Sequence, residues 1–141
     1  MTETPQRRGQ VQHLNPATLH HNPAFTQAIA VTGPVKTIYV GGQNAVDAAG
    51  NIIGVGDIAA QTRQILMNVE AALAAAGAGL EHVVQWTIYL VQGQPLEPGF
   101  AVFQEFWGRR PNPPTISMLF VAGLANPAFL AEISAIAVVP E

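Results

Sequence analysis

Apolar residues recur along the chain with two different periods, and the switches between them mark out the elements. From Asp57 to Ala76, Ile58, Ile65, Leu66, Val69, Leu73 and Ala76 return at three- and four-residue spacing, the mark of a helix with one buried stripe. Asp57 is placed to cap its start, and Gly77 and Gly79 to end it. A second, shorter stripe of Phe100, Phe103, Phe106 and Trp107 predicts a helix from about Pro98 to Trp107. Elsewhere the pattern is that of strands: Thr26 to Thr32, Lys36 to Gly41, Val83 to Val91, Thr115 to Ala122 and Phe129 to Val139. Both alternating sets of Val83–Val91 are largely apolar, so this strand is expected inside a covered sheet.

Turn residues separate these segments. Gly33-Pro34 between the first two strands reads as a hairpin, and Gly41-Gly42-Gln43 as the end of the second. Leu14-Asn15-Pro16 and Asn22-Pro23 read as turns, and residues 1–12 as a mobile tail. Arg110-Pro111-Asn112-Pro113-Pro114 forces an extended connection into Thr115. The order ββαβαββ predicts a single α+β domain over residues 1–141, one mixed sheet with both helices on one face. The other face then needs a cover, for which a second subunit is the simplest candidate.

Composition sharpens that expectation. The 141 residues are 49% hydrophobic and only 11% charged, against roughly 25% charged in an average soluble protein. Such a chain lacks polar side chains to cover a monomer, and self-association is expected. Net charge is -3, and the six basic residues cluster only as Arg7-Arg8 and Arg109-Arg110, which is no basic face for phosphate backbones. No nucleic acid partner is expected. The absence of cysteine excludes disulfides, thiolate nucleophiles and thiolate metal sites and fits a cytoplasmic location. The polar Met1–Arg8 segment leads into no apolar stretch, and no run is long enough for a membrane span, so neither an export signal nor a membrane partner is expected.

Few residues carry candidate chemistry. His20-His21 point apart in an extended segment and lack accompanying carboxylates, while His13 and His82 are isolated, so no metal or other cofactor is expected. Gly41-Gly42-Gln43 lacks the spacing of a phosphate or dinucleotide loop, although exposed N–H groups there suit a carboxylate or carbonyl oxygen. Glu132 is the most informative residue, because it interrupts the apolar strand Phe129–Ala137. A charge there is paired, hydrated or functional. It shares a face with Leu130, Ser134 and Ile136, and a carboxylate so placed is a candidate for proton transfer. The alternative is a solvated edge, or a structural pair with Arg63 or Arg109.

Three blocks together resemble the RidA/YjgF family, also called endoribonuclease L-PSP: Ile38-Tyr39-Val40-Gly41-Gly42-Gln43, the helix Gln61–Val69, and Glu132-Ile133-Ser134-Ala135-Ile136-Ala137. The resemblance runs from about Asn22 to Val139. It implies a chorismate-mutase-like fold assembled as a homotrimer with small-molecule pockets at the subunit interfaces. In active members an arginine ahead of the penultimate strand grips the carboxylate of an enamine or imine. The glycine turn adds N–H groups, a glutamate on the last strand positions water, and a 2-keto acid and ammonia leave.

Carried onto this chain, the glycine turn is Gly42-Gln43 and the glutamate is Glu132, but the family's Pro-Ala-Arg-Ser reads Pro114-Thr115-Ile116-Ser117. The arginine has become Ile116. The family's pocket tyrosine falls on Phe25, its helix asparagine on Phe100, and the serine before the glycine on Gly41. Loss of a bidentate guanidinium removes a grip worth several kcal/mol on an anion. The resemblance therefore implies an apolar interface pocket lined by Phe25, Gly42, Gln43, Phe100, Ile116, Ser117, Met118 and Glu132. Its expected ligand is a neutral or weakly polar molecule, hydrolysed at a C–N or C=N bond if Glu132 still activates water. Two alternatives stay open: a RidA-type deaminase using Arg109 or Arg110 as anion grip, and a trimer that binds or regulates without catalysis. The ribonuclease label finds no basic groove here.

Overall fold

The computed structural model describes residues 8–141, in the order β1 (Gln10–Leu14), β2 (Ala28–Thr32), β3 (Val35–Gln43), α1 (Ile58–Ala75), β4 (Val83–Val91), α2 (Leu96–Trp107), β5 (Thr115–Val121) and β6 (Ala131–Pro140). A turn of 3-10 helix, Leu80–His82, leads into β4. Strands β3-β6-β4-β5 form one mixed sheet, with β4 and β5 parallel and the other pairs antiparallel. The class is α+β, as the periodicities imply.

Two local expectations fail for one reason: strand partners lie far away in sequence. Residues 10–12, expected within a mobile tail, form β1 and pair with β2 as a separate two-stranded ribbon; residues 1–7 lie outside the described residues. The hairpin at Gly33-Pro34 does not form either. It would set Thr32 against Val35, whereas Thr32 pairs with Gln10 and Val35 with Pro140. Gly33, at φ 79°, instead turns the chain out of the ribbon and into the sheet. Gly41-Gly42-Gln43 does end β3, and it does so through a bulge, where the register against β6 shifts between Val40 and Gln43.

Helix α1 starts as its sequence directs, the Asp57 carboxylate accepting from the Ala60 N–H at 3.1 Å, and ends on Gly77 at φ 75°, where the Ala78 N–H reaches the Leu73 carbonyl. Its buried face, including Ile58, Ile65, Leu66, Val69 and Leu73, packs on β6 and β3. Beneath it lie Val40 of β3 and Ala131, Ile133, Ala135 and Ala137 of β6. Helix α2 packs on α1 and buries only Val102 fully. Both helices thus serve the face that carries the odd-numbered residues of β6. The even-numbered set, Glu132, Ser134 and Ile136, lies opposite with Gln85, Thr87 and Tyr89 of β4. Tyr39, 78% exposed, belongs to the same face. The covered sheet expected around β4 is therefore covered by this chain on one side. The ribbon meets the other side at its Val138–Pro140 end, where Val11 and His13 join them around a small cleft.

Candidate functional site

A cavity of about 890 Å³ lies between α2 and the helix-bearing face of the sheet. Alternation along the strands decides its floor. Ile116 and Met118 of β5 sit beside Trp86 and Ile88 of β4 in the parallel register, and Ile88, Leu90, Ile116, Met118 and Ile133 face the space. The stripe of α2 forms its roof through Phe100, Phe103 and Trp107, since residues three and four apart share a helix face. Phe103 also meets Trp86 edge to face, ring centroids 5.3 Å apart.

Phe25 closes one end, on a loop held by several local bonds. Thr26 is buried; its N–H donates to the Pro114 carbonyl at 3.0 Å and its hydroxyl to the Pro113 carbonyl. The Asn22 side chain accepts from the Ala24 N–H, and His20 packs edge-on against Phe25. The polyproline connection into β5 thus fixes Phe25 as well as Ile116.

Few polar groups reach the cavity. The Thr62 hydroxyl donates to the Ile58 carbonyl at 2.7 Å, leaving the α1 wall without a free donor. Asn22, Gln104 and Arg110 stand at the Phe25 and Trp107 end. Arg110 Nη1 donates to the Phe106 and Trp107 carbonyls, both at 2.7 Å, at the C-terminus of α2, and the guanidinium lies over the Trp107 ring. The helix dipole favours a cation there.

Of the residues the sequence singled out, Phe25, Phe100, Ile116 and Met118 line this cavity, and Gly42, Gln43, Ser117 and Glu132 do not. Ser117 alternates to the other side of β5, and the Gln43 side-chain amide turns back to the Gly41 carbonyl at 3.2 Å. Gly42 and Glu132 form a second locus, on the open face. A Cβ on Gly42 would lie 2.6 Å from Glu132 Oε2, so glycine is what lets the carboxylate lie against the β3 bulge. Glu132 is half-buried and makes no ion pair or side-chain hydrogen bond among the described residues. Arg63, one of its expected partners, pairs with Glu105 at 3.0 Å instead. A single chain therefore sets its carboxylate and its cavity on opposite sides of one sheet.

Two polar helix residues position both loci and escaped sequence reasoning. Gln61, 0% exposed, donates to the Gly54 and Ala128 carbonyls and accepts from the Leu130 N–H at 2.8 Å, fixing the entry to β6. Asn68 donates to the Asn44 and Val46 carbonyls behind the glycine bulge, and Asn44 in turn donates to the Ala131 carbonyl. The available signal was a polar residue in the register of the buried stripe, Gln61 preceding Ile65 and Asn68 preceding Val69. Ile58, Leu90 and Trp107 were read as core and not as cavity wall. His82 behaves structurally: its Nδ1 accepts from the Gly79 N–H at 3.0 Å. No cluster of His, Asp or Glu suited to a metal occurs among the described residues, and no helix among them is long and apolar enough to cross a membrane.

Comparison with known proteins places this architecture. The family model for endoribonuclease L-PSP matches residues 17–139. A RutC family protein of Synechocystis is 32% identical over 117 residues, 82% of this chain and 86% of that protein. Protein DfrA of Myxococcus xanthus is 34% identical over 116 residues, 81% and 84% of the two chains. Among solved structures, the Rid-family protein YyfB of Yersinia pestis superposes with a TM-score of 0.78 at 30% identity, covering 90% of this chain and 97% of its own. YjgF of E. coli superposes with a TM-score of 0.65 at 32% identity, covering 72% and 80%.

Proposed function

The chain belongs to the endoribonuclease L-PSP family of RidA/YjgF proteins, and on that premise we propose that it binds a neutral or weakly polar small molecule as a homotrimer and is not an efficient 2-iminoacid deaminase. The observation that carries this reading is the pairing of Ile116 and Met118 on the cavity floor, opposite Phe100 and beside Phe25. At the position where the family's deaminases carry an arginine, this cavity presents a hydrocarbon. A carboxylate moved there from water loses hydration with nothing in return. The uncovered face supports the trimer: a second copy there would bury Tyr39, Tyr89 and Ile136 and bring the Glu132 and Gly42 locus of one chain toward the cavity of the next. Glu132 then activates water against a C–N or C=N bond of the bound molecule.

Ammonia release from freshly generated 2-aminoacrylate tests the chemistry, and background rates are expected. Light scattering tests the assembly: three copies support the reading, and a monomer overturns it. Ile116→Arg should raise affinity for small 2-keto acids at least tenfold in calorimetry; unchanged affinity would show the cavity to be misassigned. A second reading rests on Arg110, which reaches the same cavity with part of its guanidinium uncommitted. On that reading wild-type protein releases ammonia from 2-aminoacrylate, and Arg110→Met abolishes the release.

A further inference from the structure

The cavity has direction. It runs beneath the whole of α2, from Pro95 and Leu96 to Gly108 and Arg110, and twelve helical residues span about 18 Å at 1.5 Å each. Its two ends differ in chemistry. At the start of α2 the walls are Leu96, Gly99, Ile58, Leu90, Ala131 and Ile133, most of them deeply buried, and the one hydroxyl nearby, Thr62, is already spent on the Ile58 carbonyl. At the other end stand all the polar groups with donors to offer: the Asn22 and Gln104 amides and the Arg110 guanidinium. Arg110 is held by two backbone carbonyls and flattened on Trp107. Its charge is partly answered by the helix C-terminus, which suits it to donate to a neutral acceptor in preference to a full anion. The volume, about 890 Å³, lies near the top of the usual range of roughly 300–1,000 Å³ for small-molecule sites, far beyond the needs of a three- or four-carbon imine.

Building on the function proposed above, we propose that the cavity takes an elongated, uncharged molecule, with its hydrocarbon tail at the Leu90 and Leu96 end and a single carbonyl-type acceptor facing Arg110 and Gln104. Tail length sets affinity and the neutral head sets orientation. Each methylene added to the tail is buried, and at about 0.8 kcal/mol per CH₂ each one tightens binding roughly fourfold until the slot is full.

Isothermal titration of the full chain with 2-pentanone, 2-heptanone and 2-nonanone, and with nonanoate and 2-ketobutyrate, tests this. A rise of about tenfold or more per two carbons among the ketones, with nonanoate weaker than 2-nonanone, is the expected result. A flat ketone series, or no binding by any ketone, overturns the proposal. Nonanoate binding tighter than 2-nonanone overturns the neutral head while leaving the apolar cavity standing. Binding by 2-ketobutyrate alone overturns the underlying reading of the site as well. Location is checked with Met118→Trp, which fills part of the floor and should erase the dependence on tail length, and with Arg110→Met, which keeps the apolar stem on Trp107 and should weaken 2-nonanone about tenfold or more. A melting temperature for each variant separates lost binding from lost fold, and intact variants that bind every ketone as wild type does would overturn the assignment.

Discussion

The two helices rest on the same face of the same sheet, yet one makes a solid core and the other roofs a cavity. Beneath α1 the central strand β6 presents Ala131, Ala135 and Ala137, small residues that let the helix come down until Ile65, Leu66, Val69 and Leu73 are sealed. Beneath α2, strands β4 and β5 present Trp86, Ile88, Leu90, Ile116 and Met118. The Trp86 ring stands edge-on against Phe103, and the cavity opens beside this contact. Val102, turned toward α1, is the only fully buried residue of α2. Large side chains on both sides do not mean a denser core; where they meet end to end they leave space between them.

The sharpest way to break this comparison is to truncate one residue from each half. Leu66→Ala, at a position 1% exposed, should cost about 2–5 kcal/mol in denaturant unfolding, whereas Phe100→Ala, 47% exposed on the cavity roof, should cost under about 1 kcal/mol. Equal losses would mean that α2 is as much a part of the core as α1. Next in size is Gln61→Leu, which strips partners from the Leu130 N–H and the Ala128 carbonyl. An unsatisfied buried group costs about 1–3 kcal/mol, and hydrogen exchange at Leu130 should accelerate ahead of exchange in the α1 interior. Smallest is a pH effect at the ribbon. Burial holds the His13 imidazole below its ordinary pKa of 6.5, against a weaker opposing backbone bond at Asn112. The unfolded chain therefore takes up a proton before the folded one does. The resulting stability is constant above pH 6.5 and declines as pH falls from 6.5 through the lowered value. His13→Gln should flatten that part of the stability curve and leave the rest unchanged.

Half of the candidate site was legible and half was not, and the dividing line is strand alternation read across chains. Ile116, Met118, Phe25 and Phe100 meet in one cavity, and Gly42 meets Glu132. The resemblance to RidA/YjgF proteins implies a single pocket between subunits for all of these; within one chain they form two loci, because Ile133 and Glu132 are neighbours that point to opposite sides of the sheet. The rear half of the cavity went unnoticed because Leu90, Ile58 and Trp107 have the periodicity of core residues, and a periodicity reports which side a residue faces without reporting whether anything fills the space there. Gln61 was equally opaque, since its three partners lie outside its own helix.

What the sequence by itself determined was local and periodic: both helices, the Asp57 cap and the Gly77 stop of α1, the strands β3 to β6, and the replacement of a charged position by Ile116. Each depends on residues within a turn or two of one another. Only the tertiary structure decided that Gln10–Leu14 is a strand, that Gly33-Pro34 is a crossing and not a hairpin, and that the glycines of β3 form a bulge under Glu132. It alone decided that an aromatic stripe stands away from its sheet. Those outcomes are set by which distant segments compete for the same hydrogen-bonding edge and by how side chains of given size meet across a gap, and neither quantity is written in any short stretch of chain.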